Sequence, residues 1–105
     1  MALRAMVMLL SIAAAPPAIA GADSDTDVMT LVHKHCVMCH AATPTHESFQ
    51  EAPKNVVLET IPELKKHAAS IYMQTVKTQA MPLGNQTGMT EDERARLGQW
   101  LKELP

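Results

Sequence analysis

Five consecutive residues, Cys36-Val37-Met38-Cys39-His40, carry the most specific chemistry in this 105-residue sequence. C-x-x-C-H is the attachment motif of c-type haem. Two thiols separated by two residues on a helical turn can each bond a vinyl-derived carbon on one edge of the porphyrin. That attachment brings the adjacent imidazole under the iron as proximal ligand. Other chemistries fit the same residues less well. A thioredoxin-like dithiol belongs in a βαβ setting, and no strand-helix alternation is present. Zinc would find His33, His35, Cys36, Cys39 and His40 crowded into one stretch. It usually takes two ligand pairs well separated in sequence, and the second pair is missing unless His46 or His67 is recruited. A disulfide across Cys36 and Cys39 would close too short a loop to stabilise much. The expected cofactor is therefore one haem c per chain, with Cys36 and Cys39 as anchors and His40 on the iron.

A haem iron has a sixth position, and Met81 is the expected occupant. It lies 41 residues beyond His40 in a loop and is followed by Pro82, which restrains the backbone and keeps the residue out of a helix. Met73 falls mid-helix, Met89 just precedes a helix cap and Met38 lies inside the attachment motif, so packing is the expectation for Met73 and Met89. His46 and His67 are the alternative ligands, each otherwise a solvated surface histidine, as is His33. His35 lies on an apolar helix face and is expected to pack there. The second ring nitrogen of His40 needs an acceptor, for which the carbonyl of Pro53 is the expected partner.

The elements that position these residues follow from periodicity. Val28, Leu31, Val32 and His35 fall at i, i+3, i+4 and i+7 and predict a first helix running into Cys36, behind an acidic lead-in (ADSDTD, 22–27) that favours a helix N-terminus. Between His40 and Glu59 no helical period survives, and Pro44 and Pro53 predict a wrapped loop with Val56-Val57-Leu58 briefly extended. Thr60-Ile61-Pro62-Glu63 reads as a capping box opening a second helix, whose apolar face is Ile61, Leu64, Ala68, Ile71 and Thr75. Residues 81–88 (MPLGNQTG) form a loop by composition. A second capping box, Thr90-Glu91-Asp92-Glu93, opens a last helix over about Glu91–Glu103, with Leu97, Trp100, Leu101 and Leu104 on one face. The expected fold is all-α, with three main helices and long loops.

The first 22 residues contain one charge, Arg4. An apolar run from Ala5 to Ala15, broken by Pro16-Pro17, reads as an export signal over residues 1–20 with cleavage after Ala20, leaving 21–105 as a single domain. A spanning helix needs roughly 20 apolar residues, so an uncleaved anchor is the weaker reading. The mature protein is expected to be periplasmic. Without Arg4 the charge is eight basic against eleven acidic residues, which disfavours a nucleic-acid partner. Phe49, Tyr72 and Trp100 are the only aromatics. So little bulky material leaves a domain of about 85 residues dependent on a staple or cofactor at its centre.

With these residues placed, the sequence resembles the class I cytochrome c superfamily. More narrowly, CVMCHAATPTH (36–46) and QAMPLGNQTGMTEDERARLGQWL (79–101) resemble the C-terminal cytochrome c domain of the integral-membrane bacterial urate oxidases. The resemblance implies a fold wrapped around one haem, with Cys36 and Cys39 as thioether anchors, His40 proximal and Met81 distal. It implies an electron carrier rather than an enzyme. Those oxidases carry a long multi-helix region ahead of the cytochrome, where this sequence has the apolar leader. The implied role is thus a detached electron acceptor for a membrane urate oxidase, or a general periplasmic carrier that exchanges electrons with respiratory components such as a terminal oxidase. The alternative functions are a haem-based ligand sensor or peroxidase-like enzyme with a dissociable Met81, and a zinc-binding module.

The scarcity of large side chains generates a first prediction. Cys36→Ala combined with Cys39→Ala is expected to give a weakly helical, protease-sensitive chain. Native-like circular dichroism with cooperative melting in that double variant would contradict it.

Overall fold

The computed structural model of the protein describes residues 23–105; the signal expected over residues 1–20 lies outside the described residues. These contain helices and turns, no strand, and no helix long and apolar enough to cross a membrane. Helix α1, Asp25–His35, starts at Ser24, whose hydroxyl accepts the Asp27 N–H while the Asp27 carboxylate accepts the Ser24 N–H. Val28, Leu31, Val32 and His35 are buried along one face, as their spacing predicts, and Cys36 caps the end.

The second helical region departs from a single regular helix. It comprises α2, Ile61–Lys66, and α3, Ala68–Tyr72, joined at His67, followed by a π-helical turn over Met73–Lys77. The expected face is retained, since Leu64, Ile71 and Thr75 are buried. At its start the capping box is incomplete. The Thr60 hydroxyl accepts the Glu63 N–H, but the Glu63 carboxylate accepts the Thr60 hydroxyl rather than the Thr60 backbone N–H. In the wide turn Thr78 N–H reaches back five residues to Met73 O, and the Thr75 hydroxyl donates to Ile71 O at 2.6 Å. The carbonyls at this end have no further helical donors and must find partners elsewhere. They find them in the site described below.

Helix α4, Glu91–Lys102, opens with a complete capping box: the Thr90 hydroxyl accepts the Glu93 N–H and Glu93 Oε1 accepts the Thr90 N–H, both at 3.1 Å. It packs on α1 through a shared core containing Val28, Val32, Leu97, Trp100 and Leu101. The polar contacts run in opposite order along the two helices. Trp100 Nε1 donates to Asp25 Oδ1 at 3.0 Å and Arg96 pairs with Asp23 at 2.9 Å, both near the start of α1. At the other end His35 Nε2 donates to Glu93 Oε2 at 2.8 Å. On the face toward the π turn, Gly98 lets α4 come close. A Cβ there would meet Val76 Cγ2 at 3.1 Å, tighter than ordinary contact.

Glu93 thus uses one oxygen to cap α4 and the other to hold α1, where Lys34 Nζ also reaches it at 3.4 Å. Its carboxyl is held at about 2, below the ordinary 4.5, first by the His35 hydrogen bond and then by the Thr90 N–H, with burial opposing. A value depressed in the folded state contributes stability above pH 4.5 that is lost as pH falls from there through about 2. Glu93→Gln keeps an amide oxygen for the cap but no charge. It is expected to be less stable than wild type at pH 7 and to lose less stability across that acid window. Thermal melts over the window check this, and parallel pH profiles for the two proteins would refute it.

Candidate functional site

The helices enclose a cleft of about 670 Å³, within the range of sites that take up most of a small organic molecule. One wall is the end of α1 and the residues after it: His35, Cys36, Met38, Cys39 and His40. Another part of the lining combines Ser70, Ile71, Gln74 and Thr75 with Met81, Pro82 and Leu83. Val56, Leu58, Pro53 and Phe49 extend the lining, which is mostly apolar.

All four residues expected to hold a haem, Cys36, Cys39, His40 and Met81, line this one cleft. The Cys36–His40 stretch continues helical hydrogen bonding past the end of α1, with Cys36 N–H to Val32 O at 2.8 Å and His40 N–H to Cys36 O at 2.9 Å. This puts the two thiols and the imidazole on one turn. Both cysteines are free thiols and partly exposed as whole residues. Burial, and secondarily the neighbouring Cys39, pushes the Cys36 thiol up to about 12, and burial raises Cys39 as well. A disulfide-exchange site depends on a depressed thiol value, which neither cysteine has.

His40 Nδ1 lies 2.8 Å from Val56 O. A carbonyl only accepts, so Nδ1 carries the proton and Nε2 keeps a lone pair for a metal. The expected acceptor, Pro53 O, is not the one used. Pro53 opens a 3-10 turn, Pro53–Asn55, and its carbonyl is taken by the Val56 N–H at 3.1 Å, which leaves Val56 O free to turn to the imidazole. Val56 itself is extended, and Leu58 N–H donates to His40 O at 2.8 Å, so this stretch clamps His40 through both ring and backbone.

Met81 is held through its backbone on both sides. Its N–H donates to Gln74 O at 2.9 Å, and its carbonyl accepts from Arg94 Nη1 at 2.7 Å. Met73 and Met89 do not line the cleft; the first is exposed and the second sits in the core. The other histidines separate clearly. His33 is exposed as expected. His35 is buried, with Nδ1 2.7 Å from Thr87 Oγ1 as well as its bond to Glu93, so packing is only part of its role. His46 and His67, expected either as alternative ligands or as solvated surface residues, are half-buried and line the cleft. His46 Nδ1 accepts the Ser48 N–H, and Nε2 faces Gln86 Oε1 at 3.4 Å, spanning from one loop to the other.

The donor set fits a haem: an imidazole nitrogen and a thioether on the same cleft, two thiols beside the imidazole, and apolar walls between. Among the described residues no three His, Cys, Asp or Glu side chains come together to hold a metal ion, the arrangement a zinc module would require. Arg94 and Glu93 are the residues that sequence reading missed. A capping box accounts for Glu93 locally, and Arg94 looks like one more cation on a helix surface, so neither carries a signal of its long-range partner.

Comparison with known proteins returns no match: no protein family, no curated protein and no solved structure is significantly similar to this chain.

Proposed function

We propose that this protein is a periplasmic single-electron carrier of class I cytochrome c-like fold, with one haem c attached through Cys36 and Cys39 and ligated by His40 and Met81. The observation that carries the reading is the convergence of those four residues on one mostly apolar cleft, with His40 Nε2 left free by the bond of Nδ1 to Val56 O. The apolar leader supports export, and the resemblance of residues 36–46 and 79–101 supports the superfamily.

When bound, the haem supplies one-electron exchange between ferric and ferrous iron. The chain's own residues set the conditions for it. Val56 O fixes the tautomer of His40 and makes its Nε2 a better donor. Met81 presents a soft thioether, and a His/Met pair favours a higher potential than two histidines. Leu58, Ile71 and Phe49 give the cleft apolar surface that would shield a bound haem from water, so that little solvent would reorganise when charge changes. No substrate chemistry is needed, and the protein acts as a carrier rather than an enzyme. The narrower resemblance supports a membrane urate oxidase as electron donor. Membranes containing such an oxidase without its own cytochrome domain are then expected to reduce this protein in a urate-dependent way. Reduction by a generic respiratory donor but not by urate would leave a general carrier.

The deciding measurement is a spectrum of protein expressed in a bacterial periplasm. Haem c bands are expected, unaltered in the reduced form by carbon monoxide. A strong shift with carbon monoxide would instead support a sensor or peroxidase-like enzyme, and the absence of a Soret band would overturn the haem reading. Met81→Ala is expected to abolish the weak far-red sulfur-to-iron band of the oxidised protein and lower its potential. Met73→Leu and Met89→Leu should keep the band; its survival in Met81→Ala would refute the ligand assignment.

A further inference from the structure

The geometry points to Arg94 as the positioning residue for Met81, an inference that rests on the haem reading above. Arg94 lies on α4 and is only 5% exposed. One terminal nitrogen, Nη1, donates to two carbonyls at 2.7 Å each, Thr75 O and Met81 O. Nη2 faces Asn85 Oδ1 at 3.5 Å, and that same oxygen accepts the Met89 N–H at 2.9 Å. One guanidinium therefore joins the end of the π turn to the residue expected on the iron, and faces the side chain that closes the loop after it.

A buried cation is costly unless it is paired and hydrogen-bonded. Here the nearest carboxylate oxygen, Glu91 Oε1, is 3.7 Å from Nε, its side chain is largely exposed, and the buried Nε has no hydrogen-bond partner. The short bonds of the group are the two to Thr75 and Met81. Packing alone would be served as well by an apolar side chain of similar volume. What the charge adds is a pair of short hydrogen bonds from one nitrogen that ties the Met81 carbonyl to that of Thr75, together with the bond from Met81 N–H to Gln74 O. A neutral thioether is a weak ligand. Its hold on iron depends on a loop that delivers it preorganised, and loosening the loop favours any competing ligand.

The test uses the haem-loaded protein and imidazole as competing ligand for the ferric iron. Arg94→Gln is expected to weaken the far-red sulfur-to-iron band and to bind imidazole about tenfold more tightly than wild type, the size of losing one charge-assisted hydrogen bond. Arg94→Lys, which keeps the charge but is shorter and has no second terminal nitrogen to face Asn85, should fall between the two. Arg96→Gln, which removes the Asp23 ion pair on the same helix, should lower the melting temperature and leave both readouts unchanged. Full band intensity and wild-type imidazole affinity in Arg94→Gln would overturn the assignment. If that variant yields no folded protein, wild-type affinity in Arg94→Lys does the same. Failure of the haem reading is separately visible, as a wild-type protein without haem c bands.

Discussion

The contact of α1 with α4 supports two parts of the cleft, because α1 leads directly into the Cys36–His40 stretch and α4 carries Arg94, which bonds the Met81 carbonyl. Apolar packing of Val28, Val32, Leu97, Trp100 and Leu101 supplies the attraction, but it has little preference for one sliding position over another. The polar contacts at the two ends remove that freedom. Trp100 to Asp25 fixes one end, and Glu93 to His35 the other. Shifting α4 along α1 would break the Glu93 bond and draw Arg94 away from Met81 at the same time.

The lining around Met81 depends on an irregularity. A regular helix through residue 77 would direct its last carbonyls along its own axis toward solvent. The π turn at Met73–Lys77 ends the helix with Gln74 O bonded to Met81 N–H and Thr75 O bonded to Arg94. The unsatisfied end of a helix thereby becomes the attachment point of the loop. A similar economy operates at His40: the 3-10 turn after Ala52 uses the Pro53 carbonyl internally and leaves that of Val56 for the imidazole. In both places the backbone groups that secondary structure leaves unpaired are the ones that orient the site, which is expected when unpaired buried carbonyls are disfavoured.

The space within the cleft gives the scarcity of aromatic residues its meaning. Trp100 is in the helix-helix core, whereas Phe49 lies on the cleft lining and tilts against His46 with ring centroids 5.7 Å apart. The large aliphatic side chains of the core cluster hold α1, α4 and the middle helices together, and the cleft itself is bounded by residues that line it without filling it. A flat apolar cofactor bonded at one edge would complete that centre, which is why the haem reading concerns the fold as much as the chemistry.

Much of this was legible in the residue order. The C-x-x-C-H spacing, the complete Thr90–Glu93 capping box, the faces of α1 and α4 and the loop placement of Met81 are relations within a few residues, enforced by chain connectivity and helical geometry. The break at His67 and the π turn were not legible, because the apolar spacing from Ile61 to Thr75 is satisfied by a straight helix as well as by an interrupted one. Partner choice was hidden for the same reason. His35 to Glu93 spans 58 residues, Arg94 to Thr75 and Met81 spans 19 and 13, and His40 to Val56 spans 16. Each of these pairs depends on which polar groups are left over once the helices have ended and packed. By itself, then, the sequence determined the C-x-x-C-H spacing and the helix that leads into it, since both are local; only the tertiary structure decided which carbonyl orients His40 and which cation bonds the Met81 carbonyl, since those follow from the competition among buried polar groups in the folded chain.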